Sequence, residues 1–302
     1  MGERLKYGLY LAIVKPLSWL PLGALYVVSD MLRFLVRNCM HYRRQVIRDN
    51  LSSCYPEKTE PELRRIENEF YKQFCDNIVE TIKLLNISDR TMRRRLDVRG
   101  AGLVEQAADA GKPVILYLGH YCNWEWVPAI TLYYDRPKVS AQLYKPLHDR
   151  AFDRLMLRVR SRFGSISIDK NRAFREMLQL KRDVGPFITG FISDHRTSWQ
   201  ETKYHAMFLR HRTWFYPGGE EIGRRIGAEF LYLDVEKLGR GRYRFVFKPI
   251  VPDDNGEEYP VTRKYLEMMQ STIDRAPAYW LWSHRRWVGN QAHLADDEKT
   301  DE

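Results

Sequence analysis

The stretch Val114-Ile115-Leu116-Tyr117-Leu118-Gly119-His120-Tyr121-Cys122-Asn123-Trp124-Glu125 decides how this chain is read. Its first five residues carry no charge and open on two β-branched side chains, the texture of a strand buried in a sheet. Gly119 and His120 end that strand. Pro128 lacks an N–H and fits a helix only in its first turn, so the next helix starts near Trp124–Trp126. Glu125 then stands at or beside a helix N-terminus, one loop from His120. The carboxyl end of a strand in an α/β sheet is where ligands usually bind.

Downstream of this point short β-rich runs alternate with helical stretches. Strands are expected at 114–118, 139–144, 166–168, 187–193, 229–235 and 243–248. Helices are expected near 125–134, 148–162, 171–182, 218–227 and 261–275. Such alternation predicts an α/β domain, a mixed and largely parallel sheet flanked by helices. Upstream lies the clearest helix, over 59–85. Thr59 and Glu62 form a capping box, Pro61 sits in the first turn, and Leu63, Ile66, Phe70, Phe74, Ile78, Ile82 and Leu85 make one apolar face. The arginines at 90, 93, 94, 95 and 99 read as a solvated face or a patch near anionic headgroups.

Residues 5–36 are unusually apolar, yet Lys15, Pro16, Pro21 and Asp30 interrupt them. The length allows a membrane helix, either spanning or lying in the interface with Trp19 at headgroup depth, and a buried helix pair is the alternative. Basic residues are sparse before this segment and heavy after it, at Arg33, Arg37, Arg43, Arg44 and Arg48. A spanning helix would therefore leave the rest of the chain in the cytoplasm. The expected organisation is a membrane-associating helix at 1–37, a helical region at 38–100, an α/β domain at 101–295 and a disordered acidic tail at 296–302.

The net charge of +10 on 302 residues favours an anionic partner: nucleic acid, an anionic lipid surface or an acidic protein. Cys39, Cys54, Cys75 and Cys122 contain no C-x-x-C pair and read as small residues in or near the core of a protein in a reducing compartment. His195, His205, His211 and His284 show no metal-ligand spacing, so no metal is expected.

A histidine beside a carboxylate suits proton abstraction from an alcohol. The imidazole takes the proton near neutral pH, and a carboxylate on its other nitrogen fixes the tautomer. No G-x-S-x-G setting offers a serine nucleophile, so the acceptor's own hydroxyl would attack. The spacing alone is common, and a structural histidine is the plain alternative. Placement at a strand end after glycine, among aromatic residues, favours catalysis.

The segment LGHYCNWEW resembles the H-x-x-x-x-(D/E) motif of the lysophospholipid acyltransferase superfamily, and is most similar to its lipid A biosynthesis branch. The resemblance extends through YRRQVIRDNL at 42–51, FCDNIVETIKLL at 74–85, Tyr144-Lys145-Pro146, Asp194-His195, the segment 208–228 and Trp280-Leu281-Trp282-Ser283-His284. It implies a glycerolipid-acyltransferase-like fold and an O-acyltransferase. Such an enzyme moves a fatty acyl chain from acyl carrier protein, or coenzyme A, to a hydroxyl of a lipid A precursor. It would work at the cytoplasmic face of the inner membrane, with no covalent acyl-enzyme, no organic cofactor and no nucleic-acid partner. His120 would be the general base and Glu125 its partner. Lys145, Arg158, Arg160 and Asp194 are the candidate substrate-binding residues, with Asp194 at another strand end. Lys145 stands where relatives carry arginine, which keeps charge but loses the bidentate fork. The C-terminal YWLWSHRRW, alternating aromatic and basic residues, suits a membrane interface best, ahead of single-stranded nucleic acid or a packed strand. Two rival functions stay open: acylation of another lipid, a lysophospholipid or an amino-acid lipid, and a non-catalytic basic binding protein.

Overall fold

Strand β2 (Val114–Leu118) is buried at all five positions, which requires cover on both faces of its sheet. The computed structural model describes residues 2–195, 203–253 and 256–287, and the acidic tail lies outside them. Around β2 a seven-stranded sheet forms from β1 (Leu96–Arg99), β3 (Ser140–Tyr144), β4 (Ile166–Asp169), β5 (Ile188–Ile192), β8 (Glu229–Gly239) and β9 (Arg242–Pro249). Its order is β1-β9-β8-β2-β5-β3-β4. Every pairing is parallel except β8 with β9, an antiparallel pair. The expected mixed, largely parallel sheet is therefore present. A separate hairpin, β6 (Tyr204–Phe208) and β7 (His211–Phe215), was not anticipated. Its alternating burial leaves His205 and Met207 outward, a half-buried pattern too short to stand out in the sequence.

The connecting helices are α6 (Gly102–Asp109), α7 (Arg150–Arg160), α8 (Ala173–Val184), α9 (Gly218–Ile226) and α10 (Pro260–Arg275). The four expected over 148–275 occur as α7 to α10. The one expected near 125–134 is instead a 3-10 segment, Trp124–Leu132, with Pro128 inside it. Proline removes a donor from the helical ladder, and the tighter 3-10 turns tolerate that interruption over a short run.

The N-terminal third is helical: α1 (Glu3–Trp19), α2 (Leu22–Phe34), α3 (Arg44–Cys54), α4 (Glu60–Lys83) and the short α5 (Asp89–Arg93). The expected capping box at Thr59 and Glu62 opens α4, with Glu62 Oε2 accepting from Thr59 N at 2.8 Å. The apolar N-terminus departs from a single membrane helix. No described helix is long and apolar enough to cross a membrane. Pro21 imposes extended backbone between α1 and α2, and Lys15, Pro16 and Asp30 interrupt the apolar run. The result is a helix pair of 17 and 13 residues packed on α4. Leu25 and Ser29 face inward, while Leu5 and Ile13 are 65% and 57% exposed and Met31 is 69% exposed.

The C-terminal aromatic segment also departs from expectation. Trp280, Trp282 and Arg286 are buried, and Trp282 Nε1 donates to Pro277 O at 2.6 Å. Asn50 of α3 donates to Trp282 O and His284 O, so the segment is a strap closing the core and not a membrane-interface patch. The indole rings fill core volume that interface exposure would leave empty.

Candidate active site

The site grows from two adjacent parallel strands. Leu118 of β2 is in register with Ile192 of β5. Two residues beyond each lie His120 and Asp194, side by side at the carboxyl edge of the sheet. The chain leaves β2 toward β3 and leaves β5 toward β8, opposite directions along the sheet. A crevice outside such a switch point is a ligand site in open α/β sheets.

His120 Nδ1 lies 2.8 Å from Asp194 Oδ1, and His120 N donates to Asp194 Oδ2 at 2.8 Å. Trp280 Nε1 also donates to Oδ2, at 2.7 Å. Asp194 is fully buried. Burial alone would raise its carboxyl, but the adjoining imidazoles of His120 and His195 and the hydrogen bonds from His120 and Trp280 outweigh it. The carboxyl is held well below the usual carboxylate range, so Asp194 is an anion at any working pH. Gly119 makes this approach possible, since a Cβ there would meet Met269 Cε at 2.2 Å and Asp194 Oδ2 at 3.1 Å.

The carboxylate on the histidine is thus Asp194, where the sequence reading put Glu125. Glu125 faces another partner: Arg160 of α7 holds it bidentately, Nε to Oε2 at 2.8 Å and Nη2 to Oε1 at 2.6 Å. Both side chains are mostly buried. A planar guanidinium matches a carboxylate fork better than imidazole does, which explains the exchange.

Three imidazoles stack above Asp194. The rings of His120 and His195 are 3.6 Å apart at 8°, and those of His195 and His284 are 4.2 Å apart at 6°. Burial, then the charge of His120, pushes His195 well below the ordinary histidine range. Burial, then Arg286, lowers His284 to about 4. Both are neutral near pH 7, so the stack places no fixed positive charge beside His120. One ligand atom each from His120, Asp194 and His195 lies within 4.8 Å of the others. Parallel rings aim their lone pairs alongside each other, however, and zinc needs donors that converge at about 2.0–2.1 Å.

A cavity of ≈ 850 Å³ opens beside this group. Leu118, Val127, Pro128, Phe191 and Ile222 give it an apolar wall, and His120, Glu125, Arg160, Lys145, Lys170 and Arg225 a polar one. Of the six residues singled out in the sequence, His120, Glu125, Arg160 and Lys145 line it. Asp194 sits behind His120 instead of facing the cavity, and Arg158 is turned toward α1, its Nη1 3.3 Å from Tyr7 OH. His195, Trp280, Lys170 and Arg225 were missed as site residues. Asp194-His195 stood beside a strand end in the sequence, but nothing there showed which strands are neighbours.

An α/β sheet with a histidine–carboxylate pair at its switch point, beside a cavity with apolar and basic lining, suits an enzyme that takes a proton from a hydroxyl next to an apolar substrate. Residues 3–288 match the family described as bacterial lipid A biosynthesis acyltransferase, and the chain belongs to that family. It is 21% identical over 283 residues to the lipid A biosynthesis palmitoleoyltransferase of Escherichia coli K12, covering 90% of each chain. It is 20% identical over 284 residues to the lipid A biosynthesis lauroyltransferase of the same organism, covering 90% of this chain and 91% of that one. A lipid A biosynthesis acyltransferase of Shigella flexneri is 21% identical over 283 residues.

Proposed function

We propose that this acyltransferase moves a fatty acyl chain from acyl carrier protein to a hydroxyl of a lipid A precursor, with His120 as general base. The observation that carries the reading is His120 at the cavity wall with Nδ1 on the buried Asp194. That bond fixes the tautomer with the proton on Nδ1 and leaves Nε2 to accept one. The acceptor's O–H gives its proton to Nε2 as its oxygen attacks the thioester carbonyl. The tetrahedral intermediate then expels the thiolate, which takes the proton back from the imidazolium and leaves as a thiol. The acyl chain passes directly between substrates, and no residue of the chain carries it.

Glu125 keeps a place in the machinery, shared with Arg160: the ion pair forms part of the polar wall one loop from His120. Lys145 and Arg225 are exposed at that wall and supply positive charge for an anionic acceptor or donor. The enzyme would work at the cytoplasmic face of the inner membrane, and the N-terminal helix pair supports the part of this reading that needs contact with lipid. Leu5, Leu9 and Ile13 recur every four residues along α1 and are all exposed, as are Val27 and Met31 on α2. An apolar stripe of this kind, with basic residues nearby, suits a helix lying in the lipid interface.

Mass spectrometry of lipid A from a strain lacking this protein tests the acceptor. Lipid A short of one acyl chain is the expected result. An intact lipid A profile with a different acylated lipid missing would overturn the lipid A assignment.

A further inference from the structure

The loop that joins His120 to Glu125 holds an uncomfortable backbone. Cys122 has φ +51, in the left-handed region that costs a non-glycine residue about 1–2 kcal/mol. Such a conformation persists only where its surroundings hold it. Here the holding comes mainly from one face of α4. Asn77 Nδ2 donates to Cys122 O at 2.6 Å, and one turn on, Glu80 Oε2 accepts from Asn123 Nδ2 at 2.6 Å. The Glu80 carbonyl accepts from Trp126 Nε1 at 3.3 Å. From the other side, Cys122 N donates to Tyr279 O at 2.9 Å.

Glu80 is fully buried and does not touch the cavity. A carboxyl in such a place demands partners, and it has three donors: Asn123, Tyr243 OH at 2.8 Å, and Tyr26 OH at 2.9 Å. Tyr26 belongs to α2. The preceding turn of α4 repeats the link, with Asp76 accepting from Ser29 Oγ at 2.7 Å and from Arg240, which also binds Asp30. One helix face therefore joins the N-terminal helix pair to the His120–Glu125 loop.

We propose that Glu80 is a positioning residue for acyl transfer, fixing the His120–Glu125 loop through Asn123 and tying that loop to the N-terminal helix pair through Tyr26. Its catalytic consequence rests on the acyl-transfer reading above, whereas its hold on the loop does not.

Cys122 reports on the loop directly. Its thiol is buried, as are those of Cys54 and Cys75, while Cys39 is exposed. The full-length protein and its variants are treated with N-ethylmaleimide, and labelling at each cysteine is followed by peptide mass spectrometry. In Glu80→Gln, Cys122 is expected to label at least roughly tenfold faster than in wild type, with Cys54 and Cys75 unchanged, as a local opening requires. Tyr26→Phe, which frees the helix pair from Glu80 without touching Asn123, is expected to raise Cys122 labelling several-fold. In the transfer assay Glu80→Gln is expected to lower kcat at least roughly tenfold with the donor KM within about threefold, while Tyr243→Phe keeps kcat within about twofold. Cys122 as protected in Glu80→Gln as Cys54 and Cys75, or all three opening together, would overturn the proposal. An unchanged rate in Tyr26→Phe would overturn the link to the helix pair. A wild-type protein that transfers no acyl chain would defeat the acyl-transfer reading, while the labelling still decides what Glu80 does.

Discussion

Asp194 carries the largest difference between the sequence and the folded site. His120 was visible because glycine precedes it at the end of an apolar strand. Glu125 was visible because it follows within one loop. Asp194 lies 74 residues further on, and it reaches His120 only because β5 pairs with β2 in the register Leu118 with Ile192. Strand neighbours are set by tertiary packing, which spacing along the chain does not record. The consequence is testable at this residue. Asp194→Asn keeps the size but removes the charge that stabilises the imidazolium, and it is expected to lower kcat by about 10²–10⁴-fold, as loss of such a partner does in hydrolytic triads. Steady-state kinetics on the folded variant checks it, and activity within a few-fold of wild type would remove Asp194 from the mechanism. Arg160→Met makes a second, different prediction. It strands the Glu125 carboxylate, 11% exposed, without its bidentate partner. Breaking a buried pair this way costs about 3–5 kcal/mol, and the partial exposure here places the expected loss at the low end. Chemical denaturation measures it.

Helix α4 was the most legible element, since its capping box and apolar period both stand in the sequence. Its second role was not legible. The polar residues Gln73, Asp76, Asn77 and Glu80 lie off the apolar stripe, yet all four are buried. They face β9, α2 and the His120–Glu125 loop, surfaces whose approach to α4 no local pattern announces. Glu80 gives this element a pH signature. Burial raises its carboxyl to about 7 from an ordinary value of 4.5, against the lowering effect of the Asn123, Tyr243 and Tyr26 hydrogen bonds and with a raising contribution from Asp76. Lys237, partly buried and bonded to Gln73, is the nearby cation. A carboxyl with a raised folded pKa binds its proton more tightly in the folded than in the unfolded chain. Its contribution is therefore full below about pH 4.5 and is lost as pH rises through about 7. Across that window wild type should lose about 3 kcal/mol relative to Glu80→Gln, at 1.36 kcal/mol per pH unit. Urea unfolding of both proteins at low and at slightly alkaline pH checks the difference. Parallel pH profiles would show that Glu80 does not titrate in this range.

At the scale of the whole molecule, the α/β sheet and most of its helices followed from alternating apolar runs, whereas a membrane-spanning N-terminal helix and a C-terminal interface patch are not found among the described residues. The N-terminal run showed its interrupting prolines and favoured a membrane helix over a helix pair, yet Pro21 divides it into two, and the C-terminal aromatic run reads as an interface patch until its indoles are seen to be buried. In both cases composition was legible and the surface it meets was not. The exposed stripe on α1 remains the feature that would bring the enzyme to lipid. Leu9→Glu combined with Ile13→Glu places charge on that stripe, away from the core. It is expected to weaken binding to vesicles containing phosphatidylglycerol by at least about tenfold, since each apolar side chain withdrawn from lipid forfeits about 1.5–3 kcal/mol. Vesicle flotation gives the answer, with an unchanged melting temperature as the control. Undiminished binding would move the membrane contact elsewhere. The central claim is that His120, oriented by Asp194, activates the acceptor hydroxyl, and acyl transfer by purified protein tests it most directly. With acyl carrier protein as donor and a lipid A precursor as acceptor, wild type should transfer the chain, and a folded His120→Ala should lose nearly all of that transfer. A folded His120→Ala protein working at near wild-type rate would contradict the account.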